Sequence, residues 1–96
     1  MPSLSDFAWD FGPAVQKRGV SYFRAGAVEF RTTDPGHLLA YVRGELRYSS
    51  EIWWEGEDTQ DLAIDYRCTC PYFNENDDPC KHLWAMLLQD ESQGLI

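Results

Sequence analysis

Three cysteines and one histidine fall within fifteen residues: Cys68-Thr69-Cys70, nine further residues, then Cys80-Lys81-His82. The rest of the chain holds no other cysteine and a single other histidine, His37. Three thiolates and one imidazole make a complete tetrahedral donor set for zinc, with bonds of about 2.0–2.3 Å. Three is also an odd number, so a disulfide framework would leave one thiol over. Thiolates held for a metal persist best in a reducing compartment, which points to a cytoplasmic protein. One structural Zn²⁺, held by Cys68, Cys70, Cys80 and His82, is therefore the expected cofactor.

The spacing dictates local shape. Cys68 and Cys70 are two apart, so in a regular strand their side chains would point to opposite faces. The backbone must bend at Thr69-Cys70, and Pro71 ends regular pairing there. On a helix, residues two apart lie about 200° from each other. Cys80 thus belongs on a non-helical lead-in, with His82 reaching back from the first turn and the positive helix end facing the thiolates. All four positions are taken, whereas catalytic zinc keeps one open for water. Zinc deaminases need His-x-Glu and Pro-Cys-x-x-Cys, and Pro79-Cys80-Lys81-His82 lacks that spacing. No catalytic residue is expected. The loop acids Glu75, Asp77 and Asp78 lack the glycine and terminal glutamate of an EF-hand, and read as a solvated loop.

Patterning around the cluster gives α+β: an N-terminal helix, an antiparallel sheet of about four strands, and the Cys-x-Cys…Cys-x-His site leading into a C-terminal helix. Residues 5–24 look helical with interruptions at Gly12, Pro13 and Gly19. Pro13 suits a first turn, so the helix is placed at 13–24, with Gly26 closing it. Phe7, Phe11, Val15 and Phe23 can share a face. Strands follow at Val28–Thr33 by alternation, at residues 37–43 after the turn Asp34-Pro35-Gly36, and at 46–54. In the third strand Tyr48, Ser50, Ile52 and Trp54 share the inward parity, leaving Trp53 outward. After a polar turn at 55–60, Leu62, Ile64 and Tyr66 alternate into Cys68, so the fourth strand delivers the first ligand from its core side. Asp78-Pro79 reads as a helix start, and residues 82–89 as a short helix with Leu83, Met86 and Leu87 on the sheet. His37 reads as a surface histidine beside the turn.

Ninety-six residues suggest one domain, 1–96, with a motif core at 62–90. A core this small is marginal and gains from a metal clamp. The C-terminal Ser92-Gln93-Gly94-Leu95-Ile96 carries no motif, in keeping with a piece of a longer chain. No run approaches the roughly 18 apolar residues of a membrane span, and the start lacks a signal-peptide pattern. The net charge of −8 is unevenly spread: six basic against five acidic side chains in residues 1–50, two against eleven in 51–96. Such a surface repels phosphate backbones unless Lys17, Arg18, Arg24, Arg31, Arg43 and Arg47 gather on one face. Protein contact, with Trp53 as an outward anchor, is the leading expectation. An accessory nucleic-acid-binding domain using the basic N-terminal face is the alternative. Neither a membrane nor a small-molecule substrate is expected as a partner.

The cysteine–histidine pattern, the apolar strand entering Cys68 and the run Leu83-Trp84-Ala85-Met86-Leu87-Leu88 after Cys80-Lys81-His82 resemble the SWIM zinc-binding domain. Arg18-Gly19-Val20-Ser21-Tyr22-Phe23, Gly26-Ala27-Val28, and Val42-Arg43-Gly44 with Tyr48 are similar to what precedes the motif in bacterial members. That family occurs in bacterial SNF-type DNA-dependent ATPases, Mutator-type transposases and some eukaryotic signalling proteins. The resemblance implies a non-catalytic module binding DNA or protein, accessory to an enzyme of the ATPase or helicase type, with Cys68, Cys70, Cys80 and His82 as its zinc ligands.

Overall fold

The computed structural model describes residues 4–44, 46–56, 63–76 and 78–93. The expected polar turn at 57–60, Leu62 and Asp77 lie outside the described residues. Element order is α1 (Leu4–Ala8), α2 (Pro13–Arg24), β1 (Val28–Asp34), β2 (His37–Arg43), β3 (Arg47–Glu55), β4 (Ala63–Cys68), α3 (Pro71–Asn76) and α4 (Lys81–Gln93). The four strands form one antiparallel sheet in the order β1-β2-β3-β4. This is the expected α+β architecture.

Local chemistry sets the boundaries. Pro13 opens α2, where its missing N–H costs nothing. Gly26, at φ 69°, takes the left-handed position just past the helix end. Pro35-Gly36 joins β1 to β2, with Gly36 at φ 80° in the slot that a type II turn reserves for glycine. The ladder between β1 and β2 slips between Phe30 and Thr32, a bulge at Arg31. Alternation is cleanest in β2, where Leu38, Ala40 and Val42 are buried.

The inner sheet face meets α4, and α2 packs on the other side of α4. His82 to Leu87 are consequently all buried. The expectation that α4 presents one apolar face to the sheet is therefore too narrow: α4 is a central helix, apolar nearly all round. α2 has the expected bounds, 13–24, and runs straight through Gly19, which read as an interruption; Gly19 is buried against the start of α4. Phe7 meets Trp54 edge-on at 5.9 Å, and Phe11 contacts both Tyr66 (5.4 Å) and Trp84 (5.1 Å). The Gln16 side chain donates to the carbonyls of Ala8 and Phe11, tying α1 to α2.

Three boundaries differ from expectation. A separate short helix, α1, precedes α2. The stretch after Cys70 is the helix α3 rather than an open loop, because Pro71 fits a first helical turn. Asp78-Pro79 does not start α4, which begins at Lys81 and runs four residues further than expected, to Gln93.

Asp90 is fully buried on α4, and neither carboxylate oxygen has a hydrogen-bond partner among the described residues. Burial pushes its carboxyl up to about 6 from an ordinary 3.8. The unfolded chain ionises first, so this group favours folding below about pH 4. That contribution is lost as pH rises through about 6. Asp90→Asn should raise thermal stability at pH 7.5 by about 1–2 kcal/mol, less than the full linkage figure because the buried amide also lacks a partner there. The gain should shrink as pH falls toward 5. Paired melting curves of both zinc-loaded proteins check this, and a gain that does not vary with pH would refute the assignment.

Candidate metal centre

The last residue of β4, the bend after it and the lead-in to α4 bring the four donors together. Cys68, Cys70, Cys80 and His82 are buried, and one donor atom from each lies within 4.8 Å of the others. His82 Nδ1 is 3.9 Å from Cys68 Sγ and 3.7 Å from Cys80 Sγ. A tetrahedron with zinc bonds of about 2.0–2.3 Å has edges of roughly 3.4–3.8 Å, so one zinc ion fits with only slight contraction. Cys80 lies outside α4 and His82 in its first turn, as the spacing requires.

The backbone is arranged for negative sulfur. The N–H of Cys70 points at Cys68, that of Phe73 at Cys70 and that of Leu83 at Cys80. α3 and α4 thus each start directly after a ligand cysteine and turn a first-turn amide on it. The bend is braced by Asn74, whose side chain donates to the carbonyls of Cys70 (3.1 Å) and Thr69 (3.3 Å). Thr69 links back to β3: its N–H reaches Ser49 O, and its hydroxyl accepts the Ser49 N–H at 3.0 Å.

The three sulfurs are not electrostatically equivalent. The Cys68 thiol is drawn well below the usual thiol range by a hydrogen bond from Cys80, with His82 and Ser50 adding to it. The hydrogen bond to Cys68 pushes Cys80 up, with burial and the Cys68 charge behind it. Burial, more than the Cys68 charge, raises Cys70. A divalent cation among these sulfurs is what lets all three be thiolates together. Bound zinc supplies positive charge that cross-links β4 to α4.

Several partners were invisible to spacing rules. Ser50 Oγ lies 3.3 Å from Cys68 Sγ. Its signal was a lone polar residue at an inward strand position between Tyr48 and Ile52. The His82 ring packs between Tyr22 (centroids 5.1 Å apart) and Tyr48 (4.6 Å). No spacing rule points to either tyrosine.

The residues considered for interaction are dispersed. Trp53 lies on the outer sheet face, half-buried, its ring stacked on His37 at 5.2 Å. His37 is half-buried too, and its Nε2 lies 2.9 Å from Glu51 Oε2. The far more exposed tryptophan is Trp9, at 90%. Lys17, Arg18 and Arg24 ride on α2, on the inner side of the sheet. Arg31 and Arg47 lie over Tyr41, 5.7 and 4.5 Å from its ring, and Arg43 pairs with Arg47 across the β2–β3 ladder. The six basic residues therefore do not form one face.

A closed, buried Cys₃His cluster that clips a strand end to a helix start defines a zinc finger. Residues 53–91 match the family model of the SWIM zinc finger, and all four donors lie inside the matched segment. The matched segment runs from the end of β3 through β4 and α3 into α4, and is similar to a SWIM zinc finger. No curated protein and no solved structure matches the chain.

Proposed function

We propose that residues 1–96 act as one non-catalytic, zinc-stabilised module that docks on a protein partner or a neighbouring domain. The observation that carries this is the donor set: four side chains, each at most 3% exposed, bring one donor atom apiece within 4.8 Å of the others, enough to complete the shell of one zinc ion. A site of this kind holds a fold together rather than activating water. The surplus of acids in residues 51–96 favours a protein over a phosphate backbone. Service to a DNA-dependent ATPase or helicase, in a reducing intracellular compartment, is part of the same reading and draws on the company SWIM zinc fingers keep. Among the described residues no helix is long and apolar enough to cross a membrane.

One observation favours direct nucleic-acid contact. Arg31, Arg43 and Arg47 gather about Tyr41 on the outer sheet face, with Glu29 paired to Arg31 at 3.8 Å, a patch of net positive charge with an aromatic ring for a base to stack on. Titration of the zinc-loaded chain with duplex and single-stranded oligonucleotides at low salt decides between the two. The protein-docking reading expects no saturable binding. Binding that weakens steeply with salt and is lost in Arg43→Glu/Arg47→Glu would replace it with the nucleic-acid reading.

A further inference from the structure

Beside the zinc cluster a cleft of about 310 Å³ opens between α2, β3 and the starts of α3 and α4. Tyr22, Tyr48 and Tyr72 form its walls, with Cys70, Lys81 and His82 also lining it. His82 turns Nδ1 to the sulfurs, so Nε2 lies on the far edge of the ring, between Tyr22 and Tyr48. That Nε2 is buried, on a side chain only 3% exposed, and has no hydrogen-bond partner among the described residues. With Nδ1 on the metal, Nε2 carries the proton and is a donor.

A metal-bound histidine almost always gives its second N–H to a carboxylate, a backbone carbonyl or water, which fixes the ring. Here the described residues supply no acceptor. The cleft adds a cation, Lys81, whose Nζ sits 5.4 Å from the centre of the Tyr22 ring. A smaller cavity shares Tyr72 and Lys81 with the cleft and brings in Arg18. The N–H donor lies behind the Tyr22 and Tyr48 rings, to be reached when one of them shifts, and two cations line the recess and the cavity beside it. A single water, at about 30 Å³, would answer the N–H and leave most of the space open.

We propose that this cleft receives the carboxylate of an acidic peptide segment. One oxygen accepts the His82 Nε2–H, and the charge pairs with Lys81. A single carboxylate fits better than a phosphate because a chain of net charge −8 disfavours each further negative charge on its ligand. The tyrosine rings supply the apolar contact a peptide stem needs. The inference rests on the protein-docking reading and names the chemistry of its partner. Occupancy would also complete the hydrogen bonding of a zinc ligand, so binding and metal retention would reinforce each other.

The test uses the zinc-loaded chain and a blocked pentapeptide, glutamate flanked by alanines. It is read by long-range ¹⁵N spectra of the His82 imidazole and by backbone amide shifts. The expected result is a protonated Nε2 whose signal moves saturably with peptide, together with those of Tyr22, Tyr48 and Lys81. The glutamine counterpart should bind at least about tenfold more weakly, the scale of one charge-assisted hydrogen bond. Lys81→Gln should weaken the glutamate peptide about as much, with zinc content unchanged. Arg43→Gln, on the outer sheet face, should leave binding intact. A zinc-bound Nε2, no shift at millimolar peptide, an equal response to the glutamine peptide, or Lys81→Gln without effect would each overturn the proposal. So would an oligothymidylate that moves these signals in place of the peptide. Failure of the docking reading itself shows elsewhere, as salt-sensitive oligonucleotide binding around Tyr41.

Discussion

Chelation of the zinc is expected to unfold most of the chain, not only the segment that carries the ligands. Structural zinc contributes an apparent ~10–16 kcal/mol in small domains, which exceeds or equals the ~5–15 kcal/mol by which domains are stable at all. The cluster fixes the start of α4, and α4 is the helix on which both the sheet and α2 pack. Once it is released, Leu38, Ala40 and Ile52 lose the Leu83, Met86 and Leu87 side chains they are buried with. Near-ultraviolet dichroism from the packed tryptophans should collapse on adding chelator and return with zinc. Cys80→Ser should reproduce the metal-free state. Retention of a cooperative melt and of protease resistance across residues 63–93 without metal would show that the core stands alone.

Enlarging Gly19 should destabilise the fold although the substitution removes no contact. A Cβ there would lie 2.6 Å from Trp84 Cδ1, 2.9 Å from Trp84 Cβ and 2.9 Å from the Lys81 carbonyl oxygen. The last is helix backbone, so α2 and α4 must separate. Overpacking of this kind costs about 1–3 kcal/mol. For a chain of this length a loss near 2 kcal/mol lowers the melting temperature by roughly 8–16 °C. Gly19→Val should exceed Gly19→Ala, and both should keep zinc, as one metal per chain by mass under native conditions. The opposite control is Gly12→Ala, where a Cβ meets nothing within 4 Å. A Gly19→Ala protein that melts with the parent would mean the two helices can slide apart freely.

The metal ligands were legible because their chemistry is carried by residue type and spacing alone, and no other element had to be placed to find them. The strands were legible for a similar reason: alternation such as Leu38, Ala40 and Val42 reports one buried face. Burial on two sides leaves no such mark. The run from Leu83 to Leu88 reads the same for a helix on a sheet as for one enclosed between a sheet and a second helix, so the central place of α4 was missed. Gly19 was misread along with it. From sequence a mid-helix glycine is a weak point, whereas here its missing side chain is the contact. Helix α3 was hidden by its polar composition, since Asn74 serves the ligand bend rather than a core. The arginines were read as one surface because sequence does not say that α2 and the outer sheet face lie on opposite sides of α4.

The central position of α4 also sets an order of events during synthesis. Every other described element precedes it, so a ribosome delivers the middle of the core last. Until Lys81–Gln93 has emerged, the inner surface of a four-stranded sheet has nothing to cover it. A nascent chain in that state exposes Leu38, Ala40, Val42 and Ile52 to any chaperone, or to any other unfinished sheet, within reach. Capture of the metal comes at the same late point, because Cys80 and His82 arrive together with the helix. The chain therefore acquires its ion and its interior in one step.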